Sequence, residues 1–137
     1  MSNFAGMKQY LRKYPLTILL TIAIWTVCLI PMPETPLDDV PMMDKWTHFV
    51  MFGTLCCLIF IEYGVRHNNV DKIKLAVFGV VIPFLMGGAI ELAQAFLTCG
   101  NRNGDLKDWL ADGVGVVIGA VIGILPVYLL SRRKKDI

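Results

Sequence analysis

The sequence predicts an all-α membrane protein, a four-transmembrane-helix bundle with both termini on the cytoplasmic side (N-in/C-in). Three observations predict it. Apolar residues make up 55% of the chain and mean hydropathy is +0.59. They gather in four long blocks separated by short charged loops. A helix of about 20 mostly apolar residues crosses a hydrocarbon core of roughly 30 Å, and each block approaches that length. Lysine and arginine are divided unequally between the two sets of loops, which orients the bundle. The 137 residues suffice for one domain spanning residues 1–137.

The first predicted span covers residues 10–30, and residues 15–30 carry no charge. It stops at Pro31-Met32-Pro33, where proline cannot continue a helix. A secretory signal is the rival reading, but no small-residue cleavage pattern precedes Pro31, so the segment is read as retained. The second span covers 46–63, with His48 inside it and Glu62 near its end. The third covers 73–97 and is interrupted by Pro83, Gly87, Gly88, Glu91 and Gln94. The fourth covers 109–130 and begins close to Asp112. Its Gly115, Gly119 and Gly123 form a smooth stripe for close approach of another helix, within the chain or from a second copy in a homo-oligomer.

Orientation follows from the loops. Lys8, Arg12, Lys13, Arg66, Lys72, Lys74, Arg132, Arg133, Lys134 and Lys135 fall on one side, and Lys45, Arg102 and Lys107 on the other. The richer side is cytoplasmic. Trp46 and Trp109 then sit where an outer aromatic belt is expected, beside an acidic loop with Glu34, Asp38 and Asp39.

A net charge of +2 gives no footprint for nucleic acid. Cys28, Cys56 and Cys57 lie inside apolar blocks and read as small buried residues, while Cys99 is the one to test for reactivity. No Cys/His zinc spacing and no HExxH motif occurs, so no metal or cofactor is expected.

Ionisable residues at membrane depth are costly and point to function by default. Here they converge. Asp44, Lys45 and His48 open the second span, and Asp44 and His48 are four apart on one helix face. Glu91, Gln94 and Thr98 close the third span on one face. Asp105, Asp108 and Asp112 open the fourth at spacings of three and four and run into the glycine stripe. Arg102 lies in the loop between the last two spans. Three helices thus bring polar groups to one depth, which predicts a pocket at the outer surface. Each residue also has a plainer reading. Asp44 or Asp108 can cap a helix, His48 can pair with Asp44, and Glu91 can pair with Lys45 or Arg102.

At these residues the sequence resembles the VanZ-like family of bacterial membrane proteins. The resemblance lies in Asp44-Lys45-Trp46-Thr47-His48, in Glu91-Leu92-Ala93-Gln94, and in Arg102 through Asp108 followed by Ala111, Asp112 and Gly115. Asp112 stands where the family commonly has asparagine. The resemblance covers roughly residues 10–130 and implies a multi-pass protein of the bacterial cytoplasmic membrane, in contact with membrane lipids. It also implies a link to resistance against the glycopeptide teicoplanin.

Two activities are expected from these residues. The first is binding of a lipid headgroup, a cell-wall precursor or a glycopeptide at the cell envelope. Lys45 and Arg102 would hold phosphate or carboxylate, and Asp44, His48, Glu91, Gln94, Asp105, Asp108 and Asp112 would line the site. The second is an enzyme on a lipid-linked or cell-wall substrate, with His48, Glu91 and Asp108 as acid/base groups or metal ligands. A transporter ranks lower, because no inverted repeat is visible and the polar groups all lie near one surface.

Overall fold

The computed structural model describes residues 2–31, 35–100 and 104–137. Met32, Pro33, Glu34 and Arg102, which entered the sequence reading, lie outside these residues. The described chain is helical, with α1 (Ser2–Lys13), α2 (Pro15–Leu29), a 3-10 turn (Pro36–Asp39), α3 (Met43–Arg66), α4 (Lys72–Ala76), α5 (Ile82–Leu97) and α6 (Leu106–Lys135). A π-helical turn, Val77–Val81, joins α4 to α5, so Lys72–Leu97 runs as one long helix.

Met43–Arg66, Lys72–Leu97 and Leu106–Lys135 are each long and apolar enough to cross a membrane. They match the second, third and fourth predicted spans. The first span differs. It breaks at Tyr14, and the helices on either side meet at 93°. The cause is Pro15, which disfavours helical backbone at the residue before it, and Tyr14 takes φ −129°, ψ 54°. The protein is therefore a multi-pass bundle of three spans, or four if the bent pair counts as one.

In lipid, burying apolar surface does not drive helices together, because the tails are as apolar as leucine; close backbone approach and polar bridges do. Both are present. Gly115 and Gly119 lie directly on the backbone of α3, where a Cβ would collide with the carbonyl oxygens of Phe49 and Gly53. One turn further, a Cβ on Gly123 would stand 2.7 Å from Cβ of Phe60. The glycine stripe expected to let another helix approach closely is thus packed against α3 of the same chain. Its flanks, including Val117, Val121 and Leu125, point outward and are exposed, as a lipid-facing surface requires.

Pro83 costs α5 the hydrogen bond to the carbonyl of Gly79, four residues back. The π turn widens the helix there, and Cys56 of α3 donates its Sγ–H to that carbonyl at 2.9 Å. A cysteine expected to serve as apolar filler therefore also mends a broken backbone ladder. Cys28 and Cys56 are buried, Cys57 is half-buried and Cys99 is exposed, as expected.

A second repair joins α2 to α3. Helix α2 starts at a proline with no side-chain cap from Tyr14, leaving its first N–H groups without partners. Glu62 of α3 supplies both oxygens. Oε1 accepts from the Leu16 N–H at 3.0 Å, and Oε2 from the Thr17 N–H at 3.0 Å and its hydroxyl at 2.6 Å. At the same end, Lys134 of α6 donates to the carbonyls of Gly64 and Val65, the closing turn of α3.

Candidate functional site

The antiparallel arrangement gives the bundle two unlike ends. One carries Arg66, Lys74, Arg132 and Lys134, and is here the basic end. The other gathers Lys45 and His48 from α3, Glu91 from α5, and Asp105, Asp108 and Asp112 from the start of α6, and is the acidic end.

Its centre is His48, which is 6% exposed. Its Nδ1–H donates to Asp112 Oδ1 at 2.9 Å, and Glu91 Oε1 lies 3.7 Å from the same nitrogen. Its Nε2 faces Asp108 Oδ2 at 4.0 Å, too far for a hydrogen bond. The ring lies parallel to Phe52, one turn deeper, with centroids 6.5 Å apart.

Asp112 has no exposed surface. It reaches this depth because α5 carries Gly87 opposite: a Cβ there would stand 2.6 Å from Asp112 Oδ2. Asp108 Oδ1 and Asp105 Oδ2 both hold the Lys45 ammonium, at 3.1 and 3.3 Å. Asp105 is also the N-cap of α6. Its Oδ1 accepts from the Lys107 N–H at 2.8 Å, and its own N–H donates to Glu91 Oε2 at 2.7 Å. The Lys107 N–H and then the Lys45 ammonium hold the Asp105 carboxyl below its ordinary range.

Six of the nine residues expected in the site therefore meet: Lys45, His48, Glu91, Asp105, Asp108 and Asp112. Asp44 does not join them. It lies in the exposed first turn of α3, and His48 pairs with Asp112 rather than with Asp44. Gln94 is buried but faces α2, where its Nε2 donates to the Cys28 carbonyl at 2.9 Å. Arg102 lies outside the described residues. Trp46 is exposed, whereas Trp109 is stacked on Phe84 and donates its indole N–H to the Phe84 carbonyl at 2.8 Å.

Three buried acceptor atoms have no hydrogen-bond partner among the described residues: Glu91 Oε1, Asp112 Oδ2 and Gln94 Oε1. Native folds leave few such atoms, and each requires an explanation. Moreover, His48, Glu91 and Asp112 each offer a ligand atom within 4.8 Å of the other two, a grouping able to hold a metal ion. Four carboxylates surround one lysine and one imidazole, so the site is built to accept protons, donors or cations.

The sequence profile of the VanZ/LLP1 family matches residues 3–127. The chain belongs to the VanZ/LLP1 family. The match runs from α1 into the last third of α6 and includes every residue of the acidic end. A further relative of this VanZ/LLP1 protein comes from fission yeast, Schizosaccharomyces pombe, under the name uncharacterized protein C11E3.10. The two are 29% identical over 126 residues, which cover 91% of this chain and 70% of the yeast protein. No solved structure matches the chain.

Sequence reasoning missed the role of Glu62, and it gave Gly87 a part in close helix packing without naming Asp112 as what packs there. A signal existed for the first: a helix beginning at proline without a local cap needs an acceptor from elsewhere. For Gly87 the sequence shows only one more small residue in an apolar helix.

Proposed function

We propose that this VanZ/LLP1 protein lies in a cell membrane with its basic end cytoplasmic and its acidic end outside, and that the acidic end binds the polar headgroup of a membrane lipid or lipid-linked molecule. One observation carries this reading: the orphaned oxygens Glu91 Oε1 and Asp112 Oδ2 beside His48. A buried acceptor without a donor costs about 1–3 kcal/mol. A hydroxyl or ammonium of a headgroup supplies the missing donor at Glu91 Oε1, while Asp112 Oδ2 stays packed against Gly87. Lys45, already held by two aspartates, acts by fixing Asp108 and Asp105 in place rather than by gripping an anion. A relative in yeast favours a ligand not confined to bacterial walls.

The test is binding to purified protein in nanodiscs, comparing ethanolamine, glycerol and choline headgroups on identical acyl chains. Wild type is expected to prefer the donor-bearing ethanolamine and glycerol headgroups over choline by about tenfold, a difference of one to two hydrogen bonds. Glu91→Gln is expected to remove that preference while the protein stays folded. Equal binding of all three headgroups by wild type overturns the reading. Its glycopeptide form is checked in sensitive cells expressing the protein, with teicoplanin beside vancomycin and an expression-matched Glu91→Gln control. Tolerance to teicoplanin that the variant lacks supports a glycopeptide ligand, and unchanged susceptibility removes it. Orientation is checked at Cys99, which a membrane-impermeant maleimide is expected to label from outside.

A second reading makes the same centre an enzyme in which a divalent ion assists chemistry on the headgroup. It is favoured by the spacing of His48, Glu91 and Asp112. Tetrahedral zinc bonds nitrogen and oxygen at about 2.0–2.2 Å, which spaces its ligand atoms about 3.4 Å apart, so the three side chains would have to rearrange to hold an ion. In that case Glu91→Gln lowers zinc uptake in equilibrium dialysis along with turnover. Zinc uptake unchanged by Glu91→Gln removes this reading.

A further inference from the structure

The basic end holds a feature the acidic site does not use. A cavity of about 600 Å³ opens between the α1–α2 bend, α3 and the long Lys72–Leu97 helix. That volume lies within the range of about 300–1,000 Å³ typical of ligand pockets. Its mouth is polar and basic, with Gln9, Lys13, His67 and Lys74. Its floor is apolar, formed by the buried Leu55 and Ile59 of α3 with Met86 across from them, and the exposed Phe78 and Ile82 line its wall. No carboxylate lines it, and neither Lys13 nor Lys74 is ion-paired among the described residues. Glu62, nearby, has both oxygens occupied by the N-terminus of α2.

Helix α1 sets the depth of this mouth. Phe4, Met7 and Leu11 form an exposed apolar stripe on one face, while Gln9, Tyr10 and Lys13 on the other face line the cavity. An amphipathic helix of this kind lies in the membrane interface with its apolar face toward the acyl chains. The 93° bend at Tyr14 lets α1 lie across the bundle axis rather than along it. The cavity mouth then stands at the level of lipid headgroups and its floor at the level of acyl chains. The π turn, which bears Phe78, lies in the opposite wall, and such turns recur at functional sites.

From this pairing of unpaired cations with an apolar floor, we propose that the cavity binds one anionic phospholipid, its phosphate at Lys13 and Lys74 and one acyl chain reaching Ile59 and Met86. The proposal does not depend on the function proposed for the acidic end.

The test is native mass spectrometry of the full chain in neutral detergent, titrated with phosphatidylglycerol or phosphatidylcholine of the same chains. Two lysines beside an anionic headgroup predict a preference for phosphatidylglycerol of about tenfold or more. Lys13→Gln with Lys74→Gln, at a half-buried and an exposed position, is expected to reduce that preference below about twofold with the melting temperature unchanged. Met86→Trp is expected to weaken both lipids by filling the floor. Equal binding of the two lipids by wild type overturns the proposal, as does a preference that survives the double lysine variant. Inorganic phosphate is the control without a chain: displacement of phosphatidylglycerol by millimolar phosphate makes the site a simple anion site and also overturns it.

Discussion

Gly87 and Asp112 are complementary: the side chain that α5 lacks is the space that the Asp112 carboxylate fills, with a would-be Cβ only 2.6 Å from Oδ2. The position of the buried acid is therefore set by a glycine on a different helix. Gly87→Ala is expected to push Asp112 off His48 and to destabilise the bundle by about 1–3 kcal/mol, the usual cost of overpacking. Adding Asp112→Ala should recover much of that loss, because the two changes share one space. Thermal unfolding of the single and double variants in detergent measures both effects, and simple additivity would contradict the contact.

Asp112→Asn is expected to leave stability unchanged or to raise it by about 1 kcal/mol. The amide oxygen still accepts from His48 Nδ1–H, and a buried charge disappears. His48→Ala acts in the opposite direction. It strands Asp112 beside Glu91 and Asp108 with no donor, at about 3 kcal/mol for a buried charge that loses its partner. Melting temperatures of the two variants should fall on either side of wild type.

Glu62→Gln tests the bridge between α2 and α3. The carboxylate uses a separate oxygen for each of the Leu16 and Thr17 N–H groups, and in glutamine one of the two becomes an NH2 that faces a donor. A loss of about 1–2 kcal/mol is expected, as for other lost caps. Protease sensitivity near Tyr14 should rise, since α2 loses its anchor. Unchanged cleavage would mean that Glu62 does not hold the bend.

Asp105 gives a pH signature. Its folded-state carboxyl is held below the ordinary 3.8 by the Lys107 N–H and by Lys45. A group lowered on folding contributes stability above its unfolded value and loses it as pH falls through the folded one. Asp105→Asn keeps an N-cap but not the charge. The variant should be less stable than wild type at pH 7, and the gap should close below the ordinary value of 3.8. A gap of constant size from neutral to acid pH would show that the charge on Asp105 is not what matters.

Much of this arrangement was legible in the sequence because the bilayer imposes simple rules. Apolar length marked Met43–Arg66, Lys72–Leu97 and Leu106–Lys135 to within a few residues. The cost of charge at depth singled out His48, Glu91 and Asp112. What failed were inferences from spacing alone. Asp44 and His48 are four apart, yet Asp44 lies in the first turn of α3, at the surface, where no other helix covers it. Gln94 follows Glu91 by three, yet that small rotation turns it from α6 toward α2. Hydropathy carried the first span straight through Pro15, because its residues are apolar whether or not the axis bends there. The Glu62 bridge depends on a contact between residues 45 apart, which no local pattern encodes.

The last helix supplies both the glycines that pack against α3 and two of the carboxylates that surround His48. A fragment lacking α6 keeps His48 and Glu91 but loses Asp108 and Asp112, the aspartates that face the imidazole. Such a fragment would leave an imidazole and a glutamate uncovered at membrane depth, where ionisable groups are costly. Packing of α6 on α3 and assembly of the acidic centre are thus one step of folding, because the same helix supplies both.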